Sequence, residues 1–329
     1  MTKTWLIYAL GGGWGHITRA LSLGRIAANQ RKVKIMTNSP YAKQISDERC
    51  LLHWIPDSAN FAATCLQVQE ILLNTEYDCL IVDTFPRGLG GELANILPQL
   101  QAIPRILIHR DINPRYVQVK DLRSFVTNNF DAVIVPGEGT DLPLSDLPGV
   151  IHTAPWLIRN AGELLAQKIV RSRILKVDDN RQIILVCAAG QASELPLFSQ
   201  LTRRLNKAFP ECAVRILSPH CPEDELKTLW ISHHPGIECL AAADVVVGGA
   251  GYNTVYECVA VGVPLVALAL PRLYDRQLKR ASKINQVQNI PDALFTVKKI
   301  LDTVTKSQLR PTYTNGAIAA VHHIMNFEL

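Results

Sequence analysis

The sequence predicts an α/β protein built from two doubly wound domains that face each other across a cleft. Three observations lead there. Apolar runs of strand length alternate with segments of helical period, the pattern of parallel strands covered by helices. The two halves open alike, because LIYALGGGWGHITRAL near the N-terminus and IILVCAAGQASELPLF at 183–198 both read as strand, small-residue turn, helix. The chain has 329 residues, enough for two cores of ordinary size.

Residues 1–158 are expected to hold strands at Trp5–Leu10, Val33–Thr37, Leu51–Ile55, Cys79–Asp83, Arg105–His109 and Ala132–Pro136. Residues 159–329 are expected to hold them at Ile183–Ala188, Ala213–Ser218, Val245–Gly248 and Pro264–Leu268, with a further one around Thr228–Ser232. Each is rich in Val, Ile and Leu, as a strand buried on both faces must be. Residues 137–160 (GEGTDLPLSDLPGVIHTAPWLIRN) are dense in turn formers and read as the connection between domains. The tail, Gly316–Phe327, has helical periodicity and is expected to pack back on one of the domains, the N-terminal one included.

The composition is globular, 48% hydrophobic and 19% charged. No uninterrupted apolar run approaches the roughly 18 residues of a membrane span. Glycines begin at Gly11, before any basic-then-apolar leader is complete, which points to a cytoplasmic protein. The cysteines are scattered singly with no C-x-x-C pair, the pattern of reduced core thiols rather than disulfides or metal ligands. Acidic and basic residues balance over 1–158, so the net charge of +5 lies in 159–329. That surplus is too dispersed for a nucleic-acid face and suits a domain that receives a small anion.

Ligands of doubly wound sheets bind beyond the carboxyl ends of the strands. In the first half, GGGWGHITRA (11–20) occupies such an edge. It is not a dinucleotide fingerprint. Counting G-x-G-x-x-G from Gly11 or Gly13 puts His16 or Thr18 at the third glycine, and the second strand ends Met36-Thr37-Asn38 without the acid that holds a ribose. No lysine follows the glycines, so it is not a phosphate-cradling Walker loop either.

The stronger phosphate signal is Val245-Val246-Val247-Gly248-Gly249-Ala250-Gly251-Tyr252-Asn253-Thr254-Val255-Tyr256-Glu257. A buried strand runs through small residues into a helix, whose free amides and positive end favour a phosphate. Glu257 lies three and four residues beyond Thr254 and Asn253, on the same helix face. A carboxylate there can accept hydrogen bonds from a ribose diol. A purely structural role, with Asn253 and Thr254 capping the helix, is the competing reading.

The segment GGAGYNTVYECVAVGVPLVALALPRLYDRQLKRA (248–281) resembles the donor-binding segment of GT-B glycosyltransferases. The nearest likeness is to glycosyltransferase family 28, the peptidoglycan N-acetylglucosaminyltransferase group. GGGWGHITRALSLGRIA resembles the N-terminal glycine loop of the same group. The resemblance implies two Rossmann-like domains and no cofactor. It implies that Gly249, Gly251, Asn253 and Thr254 surround the diphosphate of a nucleotide-sugar, probed first as a UDP-sugar, with Glu257 on its ribose. It implies that Asp275 and Gln277 meet the sugar hydroxyls, and that Gly190, Gln191 and Ser193 add contacts to phosphate or acceptor. The chain departs from the group at Gly190, where a hydroxyl residue is common, and at Leu278, where a second glutamine often stands.

Among Arg272, Arg276, Lys279, Arg280 and Lys283, Arg272 is the expected partner of the diphosphate. No D-x-D pair follows a strand to hold a divalent cation, so metal independence is expected. On the first half, His16 is the expected base that takes the acceptor proton during inverting transfer. Asp83 is either a second base or the group that orients His16. Gly13, Trp14, Arg19, His109 and Arg110 are assigned to the acceptor. The acceptor itself is unreadable. A lipid-linked sugar, a secondary metabolite or a polysaccharide end would each suit such a cleft, and peripheral contact at the inner face of the membrane stays open. The form G-x-G-H-x-x-R also resembles nucleotide-sugar hydrolases of the nonulosonate pathways, in which water takes the acceptor's place. A non-catalytic nucleotide-sugar-binding subunit is the third alternative. A sugar-nucleotide epimerase would need an arginine-glutamate loop after the first strand, and none is present.

Overall fold

Every apolar run singled out above is a strand in the computed structural model, which describes residues 2–45, 49–56, 60–222, 224–303 and 312–328. The chain forms two compact units. The first is Met1–Ile158 with Leu273–Asp275 and Asn315–Leu329, and the second is Arg159–Arg272 with Arg276–Thr314.

The first unit runs β1 (Thr4–Tyr8), α1 (Trp14–Ala27), β2 (Lys32–Thr37), β3 (Leu51–Trp54), α2 (Phe61–Asn74), β4 (Cys79–Asp83), β5 (Arg105–Ile108), α3 (Pro114–Val119), α4 (Leu122–Asn129), β6 (Ala132–Pro136) and β7 (Val150–Thr153). The second runs α5 (Gln167–Ile169), β8 (Ile183–Cys187), α6 (Leu195–Ala208), β9 (Ala213–Leu217), β10 (Trp230–Ile231), α7 (Gly236–Leu240), β11 (Val245–Gly249), α8 (Tyr252–Val261), β12 (Leu265–Leu268), α9 (Gln277–Ala281), β13 (Asn285–Val287) and α10 (Ile290–Thr303). The tail helix α11 (Gly316–Asn326) returns to the first unit, where it packs on α1, β6 and β7.

Strand order is β3-β2-β1-β4-β5-β6-β7 in the first sheet and β10-β9-β8-β11-β12-β13 in the second. The pairings are parallel, with Tyr8 beside Val82 and Val247 beside Val186 at the two centres. Period-two alternation splits each central strand between two cores. In β8, Ile183, Leu185 and Cys187 face one apolar cluster, while Ile184 and Val186 face the other. Both orders reverse direction at one place, between β1 and β4 and between β8 and β11. Such a switch point opens a crevice at the carboxyl end of its sheet, and it tells where to look for chemistry in each unit.

Two strands were not foreseen. Val150–Thr153 lies inside the stretch read as a connection, and Asn285–Val287 carries no apolar run. Both are edge strands, paired on one side only, so they lack the continuous apolar signature of the strands between them. The described residues include no helix long and apolar enough to cross a membrane. The eight cysteines form no disulfide, and Cys79, Cys187, Cys212, Cys239 and Cys258 are buried.

Candidate functional site

In the first unit, the turn after β1 and the end of β4 meet at the switch point. Helix α1 begins at Trp14, with Gly13 as an N-cap that offers no side-chain hydrogen bond. His16 therefore sits in the helix's first turn, its side chain 21% exposed. Its Nδ1 lies 2.6 Å from Asp83 Oδ2. A carboxylate only accepts, so Nδ1 carries the hydrogen and Nε2 is left with its lone pair.

Asp83 is fully buried and ion-paired. Arg19 donates to it from Nε at 2.7 Å and from Nη2 at 2.6 Å, and Nη2 also reaches Thr84 Oγ1 at 3.1 Å. Burial alone would raise the Asp83 carboxyl, but the Arg19 guanidinium and His16 outweigh it and hold the group well below the usual carboxylate range. Asp83 thus has the chemistry of an orienting anion, not of a base. Thr84 is a β-branched residue at φ +70°, in the left-handed region, where strain needs support from its surroundings. Its N–H bonds to Ile108 O at 2.9 Å, which fixes the turn that presents Asp83.

The glycines of the first loop divide by task. A Cβ on Gly11 would come 2.1 Å from His16 Cδ2, so this glycine makes room for the ring, and its N–H donates to Asn38 Oδ1 at 2.7 Å. At Gly12, Gly13 and Gly15 a Cβ would meet nothing within 4 Å, which leaves open space above the loop.

Several acceptor-side assignments need correction. Arg19 is buried against Asp83 and cannot face an acceptor. His109 is fully buried, and burial pushes its imidazole down to about 4, so it is a neutral core residue. Arg110 is turned to Glu138, at 3.1 Å and 3.3 Å, with Asp275 Oδ1 at 3.7 Å. His109 and Arg110 follow an apolar strand, and that position alone suggested exposure, whereas Arg19 was assigned for lying one helical turn beyond His16. Trp14 is half-buried, stacked parallel on Tyr41 with ring centroids 4.8 Å apart. Three rings that sequence reasoning passed over gather beside His16: Phe85, Tyr116 and Tyr274, with Phe85 5.5 Å from the imidazole.

In the second unit, β11 leads through Gly249 and Ala250 to α8, whose N-cap is Gly251 with no side-chain hydrogen bond. Asn253 and Thr254 therefore do not cap the helix. They stand within its first turn, where the backbone N–H groups have no intrahelical acceptor. A Cβ on Gly251 would meet nothing within 4 Å, whereas one on Gly248 would come 3.1 Å from Cys187 O. Gly248 thus packs the loop against β8, and Gly251 leaves space before the helix. Arg280, buried on α9, donates to Ala250 O at 2.9 Å and holds the loop from behind. From the basic cluster this residue is structural.

Glu257 is 7% exposed and has neither a hydrogen bond nor an ion pair among the described residues. Burial pushes its carboxyl up to about 8. Asp83 and Glu257 are thus two buried carboxylates displaced in opposite directions. The difference is the cation that one of them has. Since the fold favours neutral Glu257, its contribution to stability is complete below pH about 4.5, shrinks as pH rises, and is gone above about 8. Urea midpoints taken at those two pH values should therefore fall in the wild type by more than in Glu257→Gln, whose side chain stays neutral. Equal falls would remove this account of Glu257.

After β8, Gly190, Gln191 and Ser193 lead into α6. A Cβ on Gly190 would come 2.0 Å from Glu194 Oε2. Gln191 and Ser193 are exposed, and the Gln191 N–H donates to Glu194 Oε2 at 3.1 Å. The other Glu194 oxygen pairs with Arg272, the residue expected at a diphosphate. Gln277 is buried and accepts from Leu270 N at 3.1 Å. Asp275 belongs to the first unit, in an antiparallel bridge with Ile112. The structure thus brings Gly249, Gly251, Asn253, Thr254 and Glu257 together at one helix start, and Gly190, Gln191, Ser193 and Arg272 around Glu194. Among the described residues, no three His, Cys, Asp or Glu side chains group as metal ligands do.

The sequence matches no known family profile and no curated protein. Solved structures do match along the whole chain. The glycosyltransferase of kitacinnamycin has 15% identity, full coverage of both chains and a TM-score of 0.63. A Streptomyces sp. SF2575 glycosyltransferase complexed with thymidine diphosphate has 14% identity, 99% and 95% coverage and a TM-score of 0.60. MurG of Acinetobacter baumannii has 14% identity, 99% and 100% coverage and a TM-score of 0.59. Likeness at these identities establishes the fold, which is the two-domain α/β GT-B fold.

Proposed function

We propose that the chain is an inverting glycosyltransferase that moves a sugar from a nucleoside diphosphate donor to an acceptor hydroxyl without a metal. The observation that carries this reading is the start of α8. Its amides are uncapped, there is space beyond Gly251, and a buried carboxylate without a partner follows at Glu257. The diphosphate takes the amides and the positive helix end. The ribose diol takes Glu257, which replaces water that the carboxyl has already lost. Arg272 exchanges Glu194 for the diphosphate and offsets charge on the leaving group. A nucleoside diphosphate is also what the Streptomyces neighbour is described as holding.

In the transfer step the acceptor oxygen forms a bond to the anomeric carbon as the bond from that carbon to the phosphate oxygen breaks. The acceptor proton goes to His16 Nε2, and the nucleoside diphosphate departs with the bonding pair. Asp83, held ionised by Arg19, stabilises the imidazolium that results. Gly190, Gln191 and Ser193, the last two exposed after β8, line the donor's second edge.

Calorimetry with UDP and TDP tests the donor site. Glu257→Ala should weaken the better of the two by about 1 to 3 kcal/mol, the usual loss for a hydrogen bond to a group of this kind. Unchanged affinity would falsify the site. Incubation with UDP-sugars and TDP-sugars, with and without acceptor, then separates transfer from hydrolysis. Sugar released equally fast in water alone would make the enzyme a hydrolase.

A further inference from the structure

We propose that the acceptor is a flat, uncharged aromatic alcohol, in the simplest case a phenol, packed on the corner that Phe85, Tyr116 and Tyr274 build beside His16. This rests on the transferase reading and names the substrate class of that same site. The corner is made of rings from three separate segments of the first unit. Phe85 lies in the turn after β4, Tyr116 on α3, and Tyr274 in the short segment Leu273–Asp275. Ring centroids are 5.4 Å apart for Phe85 and Tyr274, 4.7 Å for Tyr116 and Tyr274, and 6.5 Å for Phe85 and Tyr116. Phe85 is buried under the imidazole, while both tyrosines stay partly exposed.

The corner is held in place. Thr84, at its positive φ, turns Asp83 and Phe85 toward the same histidine, and the Phe85 N–H donates to Asp83 O at 2.8 Å. Asn113 N donates to Tyr274 O at 2.8 Å, and Ile112 bridges Asp275. These bonds fix the tyrosine ring by its backbone, independently of any contact at its hydroxyl.

Apart from the two tyrosine hydroxyls, the polar groups nearby serve the protein. Arg19 serves Asp83 and Thr84, Arg110 serves Glu138, and the Asn113 side chain accepts from Arg115 N at 2.9 Å. Arg87 donates to Lys120 O and lies over the Phe125 ring. A sugar with several hydroxyls, or a lipid diphosphate, would shed water here for rings instead of hydrogen-bond partners. An aromatic ring loses little water and gains edge and face contacts. A phenol, whose pKa is about 10, also yields its proton to an imidazole more readily than an alkyl alcohol does.

The probes are 7-hydroxycoumarin, methyl glucoside and farnesyl diphosphate, each followed by saturation-transfer NMR on the full chain, with UDP binding measured alongside by calorimetry. The coumarin should bind, and the other two should not. Tyr274→Ala and Tyr116→Ala should each weaken the coumarin at least tenfold, and Tyr274→Phe should restore it. UDP affinity in each variant should equal that of the wild type, which also shows that the variants fold. Binding of the sugar or the lipid diphosphate in place of the coumarin overturns the inference, as does coumarin binding that survives both alanine variants. Absence of both UDP and TDP binding in the wild type, with the coumarin held as described, overturns the transferase reading instead and leaves the aromatic corner standing.

Discussion

His16→Ala should lower turnover of the sugar donor by about a hundred- to ten-thousandfold, the range that a positioned general base supplies, and should leave UDP affinity unchanged. The size follows from how completely the histidine is prepared. Its Nδ1 is bound to Asp83, so Nε2 is the nitrogen able to take a proton. The carboxylate is in turn gripped twice by Arg19, which keeps it ionised and the ring in one orientation. Affinity for UDP should hold because the groups assigned to the diphosphate and ribose lie on α8 and around Glu194, in the second unit. The measurement is kcat from nucleoside diphosphate release, paired with calorimetry on the same preparation. Turnover within a factor of a few of the wild type would remove His16 as the base. Asp83→Asn is a poorer probe of the same idea. It would leave the Arg19 guanidinium buried without its counter-charge, and breaking a buried pair costs about 3 to 5 kcal/mol. A fall in activity would then mix lost catalysis with lost fold.

The sheets are legible in the sequence because a parallel strand covered on both faces has to be apolar throughout. Val245-Val246-Val247 and Ile183-Ile184-Leu185-Val186 leave little room for another reading. The two switch points follow from those strands, and with them the neighbourhoods of His16 and Glu257. What the sequence does not carry is which way a polar residue at a strand end points. His109 and Arg110 end an apolar strand just as Asp83 does, yet one is sealed in the core and the other is turned to Glu138. Both outcomes depend on loops remote in sequence. The aromatic corner is illegible for the same reason. Residues 85, 116 and 274 share no spacing, and Tyr274 sits in a triplet flanked on both sides by chain of the other unit. The edge strands escape because half of each is open to other surroundings, so Asn285-Gln286-Val287 can pair without an apolar run. Glu257 was readable as to its helix face, but its lack of a cation was not, and that lack sets the direction of its ionisation.

Gly316→Ala should be the most damaging single methyl in the first unit. The tail helix α11 starts at this glycine, and a Cβ there would lie 1.8 Å from the carbonyl oxygen of Ala154. The obstacle is backbone, so no side-chain rotation relieves it. Retreat is blocked as well, because the start of the helix is stitched to the strand end beneath it. Gly316 N donates to Pro155 O at 2.9 Å, and the Asn315 side chain both donates to Leu157 O at 2.7 Å and accepts from Leu157 N at 3.1 Å. The far end of the tail is tied too, since Glu328 accepts from the Trp5 indole at 2.5 Å and from Arg31 at 2.7 Å. A helix pinned at both ends cannot slide, so the added methyl must lift α11 from α1 or break the stitching. The top of the usual overpacking range, about 3 kcal/mol, is the expected loss. For a unit of this size that is roughly 6 to 12 °C in melting temperature. Gly12→Ala supplies the control, because its Cβ would enter open space at an ordinary φ. It should melt with the wild type. If Gly316→Ala melts there as well, α11 does not hold the first unit together, and the helix that carries His16 gains no support from the tail.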